Sequence, residues 1–219
     1  AMGYSTYVAI ALPAIGYDSL CTYALLGAPI VVFVDMANGF MSQAGLLAPG
    51  MEITLSMVGQ IFAYFLPLTS IMIGISMLWI TGKWQGVKNG LLPCIVTGIV
   101  IGIIAYFTSK VDNLVVLTGV LCGIGVILAM LCYLKITGRK IIDKSILTEE
   151  EKQFEKEYSL IKALSPWLLL IGLILVLNVP QEIFNQLYRV MLFPINGLTA
   201  DASPINTRFL WNAYTWILV

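Results

Sequence analysis

Residues 53–82 read ITLSMVGQIFAYFLPLTSIMIGISMLWITG and carry no charged side chain. A charge inside hydrocarbon is costly, and a helix needs about 20 apolar residues to cross a bilayer. The stretch therefore predicts a membrane-spanning helix. At about 1.5 Å per residue it is longer than the bilayer is thick, which predicts a tilt, an overhang or a kink. Pro67 is the predicted kink.

Three more uncharged stretches follow along the chain, at residues 89–109, 113–134 and 163–181. Each is about as long as one crossing requires. The sequence is also 59% hydrophobic and only 11% charged, whereas soluble proteins carry roughly 25% charged residues. Together these features predict an all-α, polytopic transmembrane protein, with three spans within 53–134 and a fourth at 163–181.

The positions of the basic residues predict the orientation of these spans. Consecutive spans alternate in direction, so loops 82–90 and 135–162 lie on the same side of the membrane. Nine of the 12 basic residues fall on that side: Lys83, Lys88, Lys135, Arg139, Lys140, Lys144, Lys152, Lys156 and Lys162. Since cytoplasmic loops are rich in lysine and arginine, we expect both loops to be cytoplasmic. Residues 182–207 then form an outer loop, and residues 208–219 begin another span.

Residues 1–50 are apolar but are interrupted repeatedly by glycine and proline. The 16 residues between Asp18 and Asp35 are too few for a full crossing. Backbone that leaves the helical conformation at membrane depth persists only where protein or a water-lined cavity satisfies its polar groups. Broken or re-entrant helices of this kind are typical of transporters, so residues 1–50 are the predicted substrate region.

The tripeptide Gly27-Ala28-Pro29 is the predicted helix break within that region. Proline disfavours the helical conformation at the residue before it, and glycine adds conformational freedom beside it. A half-helix that starts here would direct free N–H groups into the membrane, and such groups bind anions. The alternative is a proline kink in an otherwise ordinary helix.

Asp35 is the ionisable residue that stands out, because it follows the apolar run from Ala28 to Val34. An ionisable side chain at membrane depth is rare unless it binds a ligand or moves a proton. The alternative is that Asp35 lies at the interface and caps a helix or turn, since Asn38 and Gly39 follow closely. We therefore predict a substrate- or proton-binding region made of Gly27, Ala28, Pro29, Asp35 and Asn38.

Several classes of function are excluded by what the sequence lacks. It has no histidine, which excludes serine-histidine triads, histidine-ligated zinc and imidazole proton relays within these residues. The four cysteines lack the spacing of a metal knuckle or redox pair and are predicted to be small buried hydrophobic residues. The 12 basic and 12 acidic residues balance, so nucleic acid is not an expected partner. No metal, cofactor or enzymatic activity is predicted.

The order of several short motifs resembles the L-lactate permease family of bacterial and archaeal organic-acid symporters. The resemblance covers nearly the whole chain, and it rests on the order and spacing of the motifs. They are Ile15-Gly16-Tyr17, Ala28-Pro29, Met57-Val58-Gly59-Gln60, Leu66-Pro67, Trp84-Gln85-Gly86-Val87-Lys88, Tyr106-Phe107-Thr108-Ser109 and Ala163-Leu164-Ser165-Pro166-Trp167.

This resemblance implies uptake of lactate, or of a similar small 2-hydroxy monocarboxylate such as glycolate, together with a proton across the cytoplasmic membrane. It also implies the inverted-repeat architecture of ion-coupled organic-anion carriers. The chain departs from the family at two places. Leu26-Gly27 stands where members usually carry Asn-Thr before the Ala-Pro, and Asp35 stands where they carry small residues.

Both ends of the sequence look truncated, because Met2 is second and the last residues lie within an apolar run. We therefore expect a central fragment whose site is completed by the rest of the same transporter chain. Two other functions fit the composition. One is a substrate-binding membrane subunit of a vitamin importer, which would need an ATPase partner. The other is a structural membrane protein without a substrate, whose residues 1–50 would form unbroken helices without a cavity.

Overall fold

The computed structural model describes residues 12, 14–16, 23–46, 48, 50–138, 160–195, 205–212 and 215. The chain divides into two compact units, Ala1–Lys152 and Gln153–Val219. The described helices of the first unit are α1 (Ala24–Gln43), α2 (Leu55–Thr108), α3 (Asp112–Val115) and α4 (Thr118–Ile136). Those of the second unit are α5 (Leu160–Asn178) and α6 (Gln181–Asn185).

Helix α2 consists of two helices joined by a sharp turn, and it folds back on itself. Gly82 and Lys83 have non-helical backbone angles, and Lys83 has a φ of 50°. The Cys94 Sγ lies 3.5 Å from the Ile71 carbonyl oxygen. In a straight helix these two residues would be about 34 Å apart. Helix α2 is therefore a helical hairpin with a first arm, residues 55–81, and a second arm, residues 84–108.

Within the first arm the backbone at Pro67 keeps helical angles, so the predicted kink is not a break in the helix; the reversal at Gly82 and Lys83 lies in the predicted loop 82–90. Pro67 instead packs between the arms. A Cβ atom added to Gly102 would overlap the Pro67 ring, and one added to Gly98 would overlap the Ile71 side chain. Gly98-xxx-Gly102 is thus the small-residue seam that lets the two arms approach closely.

Helix α4 packs antiparallel to the second arm. The Thr108 and Thr118 hydroxyls are 2.7 Å apart at one end of this contact. At the other end the Thr97 hydroxyl lies 3.6 Å from the Met130 sulfur. The C-terminal end of α4 therefore lies on the same side as the hairpin turn.

The outer faces of these helices are apolar. Phe65, Leu68 and Trp79 on the first arm are more than half exposed, as are Ile127 and Leu128 on α4. Such faces suit lipid rather than water. By length and composition, Leu55–Thr108 and Thr118–Ile136 can cross a membrane, and Leu164–Asn178 with Gln181–Val190 can form a third, broken span. The chain is thus an apolar, mostly helical membrane protein, while the predicted division into spans and loops stays a prediction.

The second unit contains a sharp bend. The helical segments Leu164–Asn178 and Gln181–Val190 meet at 81°, and the second segment ends in a π-helix, Gln186–Val190. Two short strands, β1 (Phe193–Ile195) and β2 (Ile205–Thr207), then pair antiparallel. Residues 182–207, predicted to be a loop, therefore include helical turns and a strand pair, because backbone groups outside the helices still need hydrogen-bond partners.

Candidate functional site: the interrupted helix α1

Residues 24–43 form one helix, which is longer than the broken segments predicted for this region. The interruption is confined to a single residue, Gly27, whose φ of +66° lies in the left-handed region. That conformation costs little for glycine and is unfavourable for residues with a Cβ atom. Ala28 and Pro29 follow at once, so the structure has left-handed backbone at the predicted tripeptide within a helix that continues on both sides of it.

Gly27 is buried against a second interruption, between α3 and α4. A Cβ atom at Gly27 would lie 3.3 Å from the Cα of Val116 and 3.7 Å from its Cγ1. Val116 belongs to the two-residue connection that separates α3 from α4. Val115, Val116 and Leu117 are at most 1% exposed. The interruption of α1 and the break before α4 are therefore in direct contact, and we call this contact the Gly27 junction.

Tyr23 anchors the beginning of α1 beside the Gly27 junction. Its buried hydroxyl donates a hydrogen bond of 2.6 Å to the Gly59 carbonyl oxygen on the first arm of α2. Its own carbonyl oxygen lies so close to Gly119 that a Cβ atom there would approach it to 2.8 Å. Tyr23 therefore touches both α2 and α4, and small residues at the two contact points allow the approach.

Asn38 anchors the other end of α1. Its Nδ2 donates to the Ile53 carbonyl oxygen at 2.8 Å, and its Oδ1 accepts from the Ile53 N–H at 2.9 Å. The amide side chain thus pairs with both polar groups of one backbone residue just before α2. This pair leaves one N–H and one oxygen lone pair of the amide for another partner.

Asp35 lies in the interior of α1 and is half-buried. The capping alternative was wrong, because the helix continues past Asp35 to Gln43. Ile30, Val31 and Val34 are buried and Asn38 is half-buried. Asp35 follows Val31 by four residues, so it lies on the same side of the helix.

The remaining predicted residues divide between the two sides of α1. Ala28 is half-buried, whereas the Pro29 side chain is exposed on the outer side. The structure therefore brings Gly27, Asp35 and Asn38 to the inward side of one helix. Their role in binding stays a prediction.

A cavity of about 570 Å³ is present elsewhere in the first unit. Both arms of α2, helix α4 and the short helical piece around Gly16 line it, and no charged residue is among the lining residues. The five predicted site residues do not line it either. The cavity was not predicted from the sequence. The two glycines of Gly119-xxx-Gly123 have different surroundings: Gly119 packs against Tyr23, whereas Gly123 faces open space and lines the cavity.

The polar groups of the cavity are mostly hydroxyls that already donate to the backbone. Thr97 bonds the Pro93 carbonyl oxygen at 2.7 Å, and Thr81 bonds that of Leu78 at 2.9 Å. Within the described residues, the buried Ser70 hydroxyl has no hydrogen-bond partner. One hydroxyl without a nearby cation is a poor site for a carboxylate, because burying a charge without partners is costly.

Other sequence-based predictions have mixed outcomes. Cys122 is buried and Cys94 is half-buried, but Cys132 is exposed on the apolar face of α4, so the prediction of buried cysteines was wrong for Cys132. Cys21, Asp18 and most of the loop 135–162 lie outside the described residues, as does half of 208–219.

The comparison with known protein families gives one match. The profile of the L-lactate permease family matches residues 1–205, which is nearly the whole chain. No curated protein and no solved structure matches the sequence. Nothing in these comparisons favours a vitamin importer or a structural membrane protein. The chain therefore belongs to the L-lactate permease family, which makes it a secondary carrier of lactate, or of a similar small 2-hydroxy monocarboxylate, together with a proton.

Proposed function

We propose that substrate and proton are bound along the inward side of α1, from Gly27 to Asn38, and that this carrier works in a bacterial or archaeal cytoplasmic membrane. The proposed orientation in that membrane places loops 82–90 and 135–162 on the cytoplasmic side. The observation that carries the proposal is the left-handed Gly27 inside α1, buried against the break before α4. Two helix interruptions in contact supply backbone N–H groups at one place.

The substrate carboxylate needs hydrogen-bond donors, and the helices offer few charged ones. The uncharged stretches at 53–82, 89–109 and 113–134 contain no lysine or arginine. The left-handed Gly27 disturbs the helical hydrogen bonds of the residues that follow it, and because Pro29 has no N–H, we infer that Ala28 and Ile30 supply the donors. Such N–H groups and the positive end of the helix dipole favour an anion. We therefore assign the carboxylate to the backbone around Ala28 rather than to a cationic side chain.

We assign the coupling proton to Asp35. Its carboxyl group is half-buried on the same side of α1 as the Gly27 junction. A carboxyl group that gains and loses a proton as the substrate binds and leaves would couple the two movements. Asn38 has a spare amide N–H for the substrate, and its pair with Ile53 would hold this part of α1 in place.

Labelled lactate transport by the full-length protein in proteoliposomes tests this assignment. We expect Asp35→Asn to abolish uptake driven by a proton gradient and to retain lactate–lactate exchange, because only net transport requires the proton to be released. Pro29→Ala should reduce both activities, because it loosens the interruption. Glu52→Gln is the matched control, since Glu52 is an exposed carboxylate before α2.

Two results would count against the proposal. If Asp35→Asn keeps proton-driven uptake with an unchanged pH dependence, Asp35 does not carry the proton. If both Asp35→Asn and Pro29→Ala are fully active, the inward side of α1 is not the site.

A further inference from the structure

The cavity of the first unit runs lengthwise along the hairpin. Its lining begins near the turn, at Thr81 and Gly90, and extends to Ser70 on the first arm and Ile101 on the second. Eleven residue steps separate the two ends on each arm, which is about 16 Å at 1.5 Å per residue. One leaflet is half of the roughly 30 Å hydrocarbon core. The cavity therefore has about the length that a lipid acyl chain occupies in one leaflet.

The walls of the cavity have the chemistry of an acyl-chain site. They are mainly aliphatic side chains, methionines and glycines, and the lining residues include no charge. The Thr97 and Thr81 hydroxyls donate to their own helix backbone, so they present little unsatisfied polarity. At about 570 Å³ the cavity is also far larger than a lactate ion needs. A small polar substrate would be held here by the Ser70 hydroxyl alone.

At the end of the hairpin that holds the turn, the described residues of the first unit include three lysines and no acidic residue. Lys83 lies in the turn, Lys88 lies on the first turns of the second arm, and the antiparallel packing of α4 brings Lys135 to the same end. From residue 53 to 138 the acidic residue of the sequence is Asp112, which lies at the opposite end. The Lys88 ammonium group is 5.9 Å from the Trp84 ring, an aromatic side chain of the kind found at headgroup depth.

We propose that this cavity binds one acyl chain of an anionic phospholipid, with the lipid phosphate at Lys83, Lys88 and Lys135. Basic clusters at the ends of membrane helices attract anionic headgroups, and the apolar cavity beside this cluster would bind the acyl chain. The lipid bound here is part of the hairpin's packing against α4. This site is separate from the lactate site proposed on α1, so either assignment can fail without the other.

The tail site is tested with the full-length protein in proteoliposomes that contain phosphatidylglycerol carrying a photoreactive group in its acyl chain. We expect crosslinks on peptides that contain Met77 and Met130, both of which line the cavity. Gly123→Leu should remove these crosslinks, because Gly123 lines the cavity and a Cβ atom there meets nothing within 4 Å. Gly172→Leu on α5 is the matched control, since it also faces open space but lies outside the cavity.

The headgroup site is tested by replacing the lysines. Each basic residue near an anionic surface contributes about 1 kcal/mol, or about fivefold in affinity. We therefore expect Lys83→Gln combined with Lys88→Gln to lower cavity crosslinking by phosphatidylglycerol at least tenfold, while Lys110→Gln at the opposite end has no effect. This experiment does not depend on whether Gly123→Leu folds. Photoreactive phosphatidylcholine should label the cavity weakly in every variant.

Three results would overturn the inference. The first is equal labelling of the cavity by phosphatidylcholine and phosphatidylglycerol. The second is labelling that is unaffected by Gly123→Leu in a variant that still transports lactate. The third is loss of cavity labelling on addition of lactate in the wild-type protein, which would assign the cavity to the substrate.

Discussion

Replacement of Gly27 by alanine tests how the interruption in α1 is held. At a φ of +66° an alanine is in the left-handed region, which costs about 1–2 kcal/mol for an L-residue. The new Cβ atom would also lie 3.3 Å from the Cα of Val116, which is backbone and cannot rotate away. We expect the two effects to destabilise the protein by about 1–3 kcal/mol.

Gly39→Ala is the matched control for this change. Gly39 lies in the same helix, is exposed, and would place its Cβ atom in open space. Alanine at an ordinary helical position is favoured over glycine by about 0.5–1 kcal/mol. The same chemical change should therefore destabilise the protein at Gly27 and stabilise it slightly at Gly39.

Both variants can be measured in detergent by thermal unfolding and in proteoliposomes by labelled lactate uptake. We expect Gly27→Ala to melt below the wild type and to lose uptake by roughly tenfold, because small displacements of binding groups have large effects on rate. Gly39→Ala should melt at or above the wild-type temperature with normal uptake. Equal melting temperatures for the two variants would refute the left-handed conformation at Gly27, and normal uptake by a destabilised Gly27→Ala would separate the interruption from transport.

Three further changes test the anchors of the structure. Asn38→Ala should destabilise the protein by about 1–3 kcal/mol, because Ile53 loses partners for both of its backbone groups; an unchanged melting temperature would contradict this. Tyr23→Phe should cost about 0.5–1.5 kcal/mol, since it removes one buried hydrogen bond to a main-chain carbonyl of α2. Trp211→Phe should lower the free energy of unfolding of the second unit by about 1–3 kcal/mol, because the Trp211 indole N–H donates to the buried Asn178 oxygen at 2.9 Å. A variant that loses tryptophan fluorescence but unfolds at the wild-type temperature would argue against this prediction.

The membrane character of the fold could be predicted from the sequence because it depends on composition. The uncharged runs at 53–82 and 113–134 contain apolar helices in the structure, and Gly98-xxx-Gly102 has the spacing of small residues at helix contacts and forms one. The reversal of α2 at Gly82 and Lys83 lies within the loop that the charges at Lys83 and Lys88 place at 82–90. Proline is a strong helix breaker by local preference, yet the backbone of α2 stays helical at Pro67. The Pro67 ring packs against Gly102 on the other arm, and no local rule contains that contact.

The conformation of the candidate region was predicted in part. The left-handed conformation of Gly27 follows the local signal of glycine before Ala-Pro, because glycine is the residue that adopts it without strain. The length of α1 did not follow, since the glycines and proline that suggested short pieces are tolerated in one helix of 20 residues. The pairing of Asn38 with Ile53 and the contact of Gly27 with Val116 are tertiary, and sequence spacing does not reveal them.

The helix N-termini of the first unit give a last reason to place an anion at the Gly27 junction. The start of α2 is occupied, because the Thr54 hydroxyl accepts from the Met57 N–H and the Asp112 carboxylate accepts from the Ser56 N–H. In contrast, α1 and α4 begin without a side-chain cap in the part of the chain that the structure describes. The start of α4 lies against the Gly27 junction, and a helix start without a side-chain cap favours an anion. The negative charge of Asp112 disfavours an anion at the start of α2, so the proposal places the carboxylate at the junction.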